Sequence, residues 1–387
     1  MKITFYSNYL THHQIPFCNA MYEKFKNDFC FVSTEPMDDE RIKGGWRISE
    51  KYQYELKAYE SDSNYYSAME LARDSDAIII GSAPEIYVKE RMKSNKKLTL
   101  RYSERIYKNG RWRALSPRGM FQCYRKYFRY INNPLYMLCA SAYTSYDLAL
   151  TRTYIDRCFK WGYFPRTYTY DIGKLMIQKV PSTILWVGRL IEWKHPEATI
   201  YLAKRLKETG ISFSMNIIGL GYMENELERM IDYYCLQDYV HMLGQLEPNA
   251  VREYMEKSSI FITTSDFMEG WGAVVNEAMN NGCAVIASHA MGAVPFLIED
   301  GIDGMIYTNG DLNQLYEIVC DLLMNSEKNK SISIKAYKKI TNMWNAENAS
   351  ERLISLISHL LIGEVNPDIY ESGPCSKARI IENNWRQ

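Results

Sequence analysis

The sequence has no surplus of either charge. Its 387 residues include 46 Lys and Arg against 46 Asp and Glu, so the formal net charge is zero. We therefore expect no nucleic-acid partner. No apolar run reaches about 18 residues and no charged-then-apolar segment opens the chain, so neither a membrane span nor secretion is expected. The nine cysteines have no metal-like spacing, which is typical of reduced thiols in a cytoplasmic protein.

Alternating strand and helix patterns predict an α/β fold, and the length favours two domains. We expect a first Rossmann-like domain over 1–165, a linker over 166–182, and a second Rossmann-like domain over 183–345. Residues 346–387 would add a last helix, which crosses back to the first domain, and a loose polar tail. The continuous apolar run at Ile78–Ile80 indicates strands covered on both faces, as in a parallel sheet. Strands are predicted at or within 2–8, 29–33, 76–82, 98–104, 135–141, 183–187, 213–218, 239–246, 261–264 and 283–288.

The densest pattern runs from 265 to 307. A strand ends at Thr264, a glycine-rich turn follows, and residues 273–280 have helical composition. Backbone N–H groups at the start of such a helix suit an anionic ligand. Glu269 lies in the turn and Glu277 in the helix; taken alone, two glutamates are more often solvated surface residues.

Two cations lie in an earlier strand-to-helix loop. Arg189 and Lys194 follow the strand at 183–187 and precede a helix that starts near Pro196. A planar guanidinium and a point-charge ammonium could together neutralise a diphosphate. Spacing alone favours a surface loop with two exposed cations.

These segments resemble a known family. Glu269-GWGAVVN-Glu277, with SSIFITTSDF before it and AMNNGCAVIAS and MGAVPFLIEDGIDGMIY after it, resembles the E-x7-E region of retaining glycosyltransferases of the GT-B fold, family 4 type. VGRLIEWKHPE is similar to the family's G-R-L-x-x-x-K segment. The resemblance covers residues 183–310 well and the N-terminal half in outline, and it implies two Rossmann-like domains facing a cleft.

The resemblance also implies roles for particular residues. Arg189 and Lys194 would hold the diphosphate of a nucleotide-sugar donor, such as a UDP- or GDP-sugar. Glu269 would hold a donor-sugar hydroxyl, and Glu277 would accept hydrogen bonds from the ribose. The nucleotide base would lie against residues 244–246, and no metal or bound cofactor is expected. The other expected donor contacts are Gly244, Leu246, Gly270, Trp271, Gly272 and Ala273.

Two departures from the family pattern stand near the expected sugar site. Met291-Gly292 replaces paired glycines, and Phe296 follows Pro295 where an acidic residue is usual. Neither removes a diphosphate contact, but both could reshape the loop.

In the first domain, ligands are expected at loops that follow strands. His12, beside His13, could donate to a sugar hydroxyl or a phosphate and so take part in catalysis; exposed histidines in a helix-capping loop are an equal alternative. Glu104 could face the cleft, or pair with Arg101 or Arg105. The acceptor would enter from this domain, and domain closure would exclude water. The loops nominated are 7–13, 81–85, 103–105 and 141–144.

Residues 89–129 carry fourteen Lys or Arg against two acids, with aromatic residues interleaved. Such a segment suits an anionic membrane surface. RNA is a competing partner, and a solvated helix face is the plain alternative. The family resemblance favours the membrane.

The sequence thus predicts a retaining glycosyltransferase that moves a sugar from a nucleotide sugar to a glycan or lipid-linked acceptor, in cell-surface polysaccharide biosynthesis. We expect it in the cytoplasm, peripheral at the inner face of the membrane. One alternative is a nucleotide-sugar epimerase, which would need no acceptor. Another is a non-catalytic sugar-binding subunit of a membrane assembly.

Overall fold

A computed structural model describes residues 1–38, 50–94, 96–108 and 110–386. The chain divides into two units. The first contains Met1–Arg166 and Asn345–Glu382. The second contains Thr167–Trp344 and the last residues from Asn383.

The first unit is built on a parallel sheet of seven described strands in the order β3-β2-β1-β4-β5-β6-β7. Strands β1, β4 and β6 are buried at every position, as the apolar runs predict. The strands are β1 (Ile3–Ser7), β2 (Phe29–Ser33), β3 (Glu55–Lys57), β4 (Ala77–Ile80), β5 (Thr99–Ser103), β6 (Leu135–Cys139) and β7 (Cys158–Lys160). The described helices between them are α1 (Ile15–Phe25), α2 (Asp62–Asp74), α3 (Ile86–Ser94), α4 (Trp112–Leu115), α5 (Pro117–Lys126) and α6 (Thr144–Ala149).

The second unit repeats this architecture with a parallel sheet of six described strands in the order β10-β9-β8-β11-β12-β13. Two parallel-sheet α/β units confirm the expected fold class. The strands are β8 (Val180–Val187), β9 (Ser214–Ile218), β10 (Val240–Met242), β11 (Ser258–Thr263), β12 (Ala284–Ser288) and β13 (Met305–Tyr307). The helices are α7 (Ile172–Gln178), α8 (Glu197–Glu208), α9 (Glu224–Tyr233), α10 (Pro248–Lys257), α11 (Val274–Asn280), α12 (Val294–Leu297), α13 (Leu312–Met324) and α14 (Ser326–Asn342).

The segment expected to be a linker contains a helix. The Asp171 carboxylate accepts hydrogen bonds from the backbone N–H groups of Gly173 and Lys174, and so caps α7. Strand β8 follows at once from Val180, three residues before the predicted start.

The C-terminal residues are more ordered than the polar composition predicts. Helix α15 (Ala346–Leu361) packs against α1 within the first unit. The expectation of a loose tail beyond it is wrong, because residues 375–378 lie along β7. The backbone N–H of Lys160 donates to Ser376 at 2.7 Å, and the N–H of Cys375 donates to Lys160 at 2.8 Å.

Each sheet reverses its strand order once, between β1 and β4 in the first unit and between β8 and β11 in the second. In doubly wound sheets, ligands bind where the loops after such neighbouring strands diverge. These two points therefore locate the candidate sites. Within the described residues, no helix is both long and apolar enough to span a bilayer.

Candidate active site

The loops after β8 and β11 bring Lys194 and Glu269 into contact. The Lys194 Nζ lies 2.5 Å from the Glu269 Oε2, and both side chains are about 15% exposed. Seventy-five residues separate them in sequence, but β8 and β11 are neighbours in the sheet. The result is a half-buried ion pair at the edge where the strand order reverses.

The same two loops are joined through their backbones. The Asp266 N–H donates to the Trp193 carbonyl at 2.9 Å. The Thr264 hydroxyl donates to the Lys194 carbonyl at 2.5 Å and accepts from the buried Trp186 indole at 3.0 Å. Since Trp186 is part of the core, the Lys194–Glu269 pair is held on a rigid base.

His195 adds a second link that the sequence pattern did not single out. His195 has a left-handed backbone (φ 47°), and its ring lies between the loop after β11 and the start of α8. The Nε2 lies 3.5 Å from the Asp266 Oδ2, and the Nδ1 lies 2.9 Å from the Glu197 Oε1. These two carboxylates raise the pKa of His195 to about 9, Asp266 contributing most. A protonated His195 therefore ties the Glu269 loop to the start of α8.

Arg189 is exposed at the head of the β8 loop. Its guanidinium lies 5.3 Å from the ring centroid of Trp193. The turn after β9 seats this loop, because a Cβ on Gly219 would stand 1.8 Å from the Gly188 carbonyl oxygen. The turn after β9, Gly219-Leu220-Gly221, therefore packs directly against the loop that carries Arg189.

Glu277 lies in the first turn of the seven-residue helix α11. Burial raises the pKa of its carboxyl to about 7. A carboxylate that costs free energy to ionise in the fold suggests a ligand role more than a structural one.

The turn between Glu269 and α11 is held in place by buried side chains. Trp271 is fully buried, and its indole N–H donates to the Asn276 side chain at 2.9 Å. Only the backbone of Trp271 could therefore serve a donor. Gly270 is buried, and Ala273 is half-buried at the N-cap of α11. Gly272 has φ +89°, and a Cβ there would meet the Met291 Cε at 2.4 Å.

Both departures from the family pattern support this turn. Met291 is fully buried under Gly272, and its sulfur accepts a hydrogen bond from the Thr263 hydroxyl at 3.2 Å. Phe296 stacks on Trp344 and lies 6.3 Å from the ring of Trp271. The residues that differ from the family pattern are packing residues in this chain.

The loop expected to receive the base also belongs to this edge. The Gly244 carbonyl accepts a hydrogen bond from the Gly219 N–H at 2.8 Å, which joins the loops after β9 and β10. Leu246 is half-buried. No side chain here identifies a particular base.

A further contact that the sequence did not reveal ties the end of the chain to the loop after β12. The His289 Nδ1 accepts from the Asn309 N–H at 2.9 Å, and its Nε2 lies 3.0 Å from the Asn383 carbonyl. The His289 ring lies edge-on to Phe267, two residues from Glu269. The Arg386 guanidinium reaches the Asp300 carboxylate at 2.8 Å.

The first unit has its own cavity, of about 370 Å³, where the loops after β1, β4 and β5 diverge. Three of the four nominated loops line it, while the loop at 141–144 does not. His13 faces the cavity; His12 is exposed beside it, with the two ring centroids 3.9 Å apart. The other lining residues include Ser7, Asn8, Tyr9, Gly81, Ser82, Tyr102, Glu104, Lys126, Tyr127 and Tyr163.

Glu104 faces this cavity, but its partners are not the predicted arginines. The Tyr163 hydroxyl donates to it at 2.5 Å, and the Lys108 Nζ lies 2.6 Å away. Arg101 instead makes a two-pronged contact with Glu85, at 2.7 and 2.9 Å. The sequence could not reveal the Tyr163 contact, because β7 brings this residue in from 59 positions away.

Most charged groups around the cavity thus lie beside an opposite charge, although Lys126, 3.9 Å from Glu85, shares that carboxylate with Arg101. Arg105, which also lines the cavity, lies 3.6 Å from the Asp147 carboxylate. Burial raises the pKa of Asp147, and Arg105 opposes the rise. The cavity therefore offers phenol and hydroxyl groups with little unbalanced charge, which suits a neutral, hydroxyl-rich ligand.

With this geometry established, similarity to known proteins can be considered. Residues 170–339 match the family described as glycosyl transferases group 1. This match lies in the second unit and covers the Lys194–Glu269 pair, Arg189 and Glu277.

Curated relatives agree with the family match. The amylovoran biosynthesis glycosyltransferase AmsK of Erwinia amylovora is 30% identical over 206 residues, which are 52% of this chain and 50% of AmsK. A Salmonella typhimurium protein named as a colanic acid biosynthesis glycosyltransferase, WcaL, is 26% identical over 46% of this chain and 45% of its own length. The chain spans about half the length of the curated relatives it matches.

Solved structures extend the likeness over both units. HepE of Anabaena, in complex with UDP, superposes with a TM-score of 0.68, covering 92% of this chain and all of HepE at 15% identity. At that identity the likeness shows the fold, which is the GT-B fold of glycosyltransferases.

Proposed function

We propose that this protein is a retaining glycosyltransferase of the family 4 type. It transfers a sugar from a nucleotide sugar, such as a UDP- or GDP-sugar, to a glycan or lipid-linked acceptor in cell-surface polysaccharide biosynthesis. The observation that carries the proposal is the Lys194–Glu269 pair at the strand-order reversal of the second unit. Arg189 and Glu277 lie on loops and helices of the same edge.

The donor would bind to the second unit through opposite charges. Arg189 and Lys194 would hold the diphosphate, and their charge would stabilise it as it leaves. In the free protein Glu269 neutralises Lys194. When the diphosphate takes over Lys194, the Glu269 carboxylate becomes available to a sugar hydroxyl.

Glu277 would hold the ribose. A carboxylate accepts two hydroxyl donors in fixed geometry, and burial raises the pKa of the Glu277 carboxyl to about 7. Hydrogen bonds from two ribose hydroxyls would favour its ionised form. The base would lie along the loop of Gly244 and Leu246.

The reaction would retain the anomeric configuration. The bond from the sugar C1 to the phosphate oxygen breaks while the acceptor oxygen bonds C1 from the same face. The acceptor proton passes to the leaving phosphate oxygen, so no enzyme nucleophile is needed. The two cations supply the charge that a metal would otherwise provide, and transfer without added metal is part of the proposal.

The acceptor would bind in the cavity of the first unit. Tyr102, Tyr163 and Glu104 present hydroxyl and carboxylate oxygens there, and such groups recognise sugar hydroxyls. His13, and His12 beside it, could add donors from the loop after β1. The proposal places the reaction at the cytoplasmic face of a membrane, supported by the cation-rich segment 89–129.

The test is donor turnover with and without acceptor. Purified protein is incubated with a panel of nucleotide sugars, and release of nucleoside diphosphate is measured with and without oligosaccharide or lipid-linked acceptors. The proposal expects release that rises strongly with one acceptor, and a product with the donor's anomeric configuration. Conversion of the nucleotide sugar to its epimer without acceptor would replace this proposal with the epimerase.

A further inference from the structure

The cation-rich segment 89–129 separates into two parts of different character. Three of its arginines, Arg91, Arg101 and Arg105, are at most 5% exposed. Arg91 donates to five backbone carbonyls, those of Ala72, Ser75, Asp76, Lys97 and Leu98. These buried cations bind groups of the first unit itself and are not available to a membrane or another macromolecular surface.

Residues 111–131 are different, because six of their large apolar side chains are exposed. Helix α5 buries Cys123, whereas Met120, Phe121 and Tyr124 of the same helix are 55–59% exposed. Surface helices of soluble domains normally turn their apolar side toward the core. The exposed apolar residues of this segment are Trp112, Met120, Phe121, Tyr124, Phe128 and Ile131.

The spacing places Met120, Phe121 and Tyr124 on one side of α5. Met120 and Tyr124 are four residues apart, Phe121 and Tyr124 are three apart, and both spacings bring side chains together on an α-helix. The rings of Tyr124 and Phe128 lie 6.0 Å apart, which carries the apolar face past the end of α5. We call the exposed side chains of residues 111–131 the 111–131 surface.

Cations surround this apolar face. In the sequence no Asp or Glu occurs between Glu104 and Asp147. The Arg113 guanidinium lies 5.6 Å from the Trp112 ring, and Arg125 lies 5.6 Å from the Phe121 ring. The exposed cations of the surface are Arg111, Arg113, Arg118, Arg125, Lys126 and Arg129.

We propose that the 111–131 surface docks the protein on an anionic phospholipid membrane. A helix lying in the interface buries its apolar side among acyl chains while cations at its edges meet lipid phosphates. The charge argues against a second copy of the chain, since two such surfaces would repel. Met120 and Ile131 favour lipid over RNA, because aliphatic side chains gain from hydrocarbon and do not stack on bases.

This surface is continuous with the cavity of the first unit. Lys126, the last residue of α5, and Tyr127 line that cavity. A lipid-anchored acceptor could therefore pass from the bilayer into the cavity along a single helix. This last step rests on the proposed function, whereas the docking does not.

The test is sedimentation of the full chain with vesicles of phosphatidylcholine alone and of phosphatidylcholine with about a third phosphatidylglycerol. Wild type should bind the anionic vesicles, and binding should weaken as salt shortens the screening length. One variant replaces cations (Arg118→Gln, Arg125→Gln, Arg129→Gln). The other replaces aromatics (Trp112→Ser, Phe121→Ser, Phe128→Ser). The control for the cation variant makes three substitutions in exposed positions elsewhere (Lys330→Gln, Lys335→Gln, Lys338→Gln). The control for the aromatic variant replaces two exposed tyrosines elsewhere (Tyr66→Ser, Tyr233→Ser).

Each cation near an anionic surface contributes about fivefold, so the first variant should bind about 100-fold more weakly. The aromatic variant should lose binding to a similar extent, and both controls should bind within about twofold of wild type. Equal binding by the cation variant and its control would overturn the proposal. The proposal would also be overturned if the wild type bound polyuridine and did not bind vesicles. It would be overturned as well if the aromatic variant still bound vesicles but changed its oligomeric state. Since no sugar substrate is used, failure here leaves the proposed sugar transfer intact and removes only the support for its location at a membrane.

Discussion

The two units share an architecture, and their candidate sites occupy the same place in it, yet the charges at those sites are arranged differently. In the first unit each arginine at the cavity faces a carboxylate, as Arg101 faces Glu85 and Arg105 faces Asp147. In the second, Lys194 faces Glu269, but Arg189 lies over an aromatic ring, and burial alone raises the pKa of Glu277. The first site is prepared for a neutral ligand and the second for a ligand with both charge and hydroxyl groups. Under the proposed function, this difference separates the acceptor site of the first unit from the donor site of the second.

The largest expected effect comes from removing a cation of the second unit. Lys194→Ala should lower the turnover of sugar transfer by about 100- to 1000-fold, because the leaving diphosphate loses its charge partner. Steady-state kinetics with the donor found in the panel would measure it. Lys204→Ala, on the exposed side of α8, is the control and should change turnover less than twofold. Near-normal turnover of the Lys194 variant would contradict the assignment of a charged ligand to the second unit.

Glu277→Gln should weaken donor binding and at the same time stabilise the free protein. The pKa of Glu277 in the folded state, about 7, lies above the ordinary value of 4.5. Between pH 4.5 and pH 7 the folded state therefore keeps a proton that the unfolded state has lost. Stability is therefore lost as pH rises from about 4.5 through 7, at a cost of about 1–3 kcal/mol above pH 7. The variant should unfold at a higher temperature than wild type at pH 8 and at the same temperature near pH 4.5. A variant less stable than wild type at pH 8 would show that Glu277 is a structural residue.

The matched prediction for the first unit concerns Tyr163→Phe. Losing the hydroxyl that holds Glu104 should raise the KM for acceptor about tenfold, while the Kd for donor stays unchanged. Separate titrations of acceptor and donor would measure the two effects. Tyr233→Phe, an exposed tyrosine of the second unit, should change neither constant. An equal loss of donor affinity in the Tyr163 variant would contradict the assignment of separate ligands to the two units.

The smallest expected effect is at His195, to which we assign a positioning role through Glu197 and Asp266. Its folded pKa of about 9 lies above the ordinary 6.5, so its stabilisation is complete below pH 6.5 and is lost as pH rises through 9. Transfer by wild type should fall a few-fold between pH 8 and 10 beyond any fall in His195→Gln. Parallel pH profiles in the two proteins would exclude this role.

Particular residues show what the sequence can and cannot predict. Strands such as β4 and the last helix, α15, follow from local apolar patterns. Lys194 and Glu269 could be nominated because each lies in a short segment that resembles a known motif. The partners of Glu104, the His195 bridge and the Asn383 contact could not be foreseen, since each depends on chain segments brought together by the sheets or by the returning C-terminus. The 89–129 segment shows the same limit, because composition counts buried Arg91 and exposed Arg118 alike.

The most direct test of the central claim is a thermal-shift screen of the wild type against a panel of nucleotide sugars, repeated for Lys194→Ala and Glu277→Ala. One nucleotide family should raise the wild-type melting temperature by several degrees at saturating ligand, with or without added metal, and both variants should lose the shift. A shift that both variants keep in full would contradict a donor site at the β8 and β11 loops.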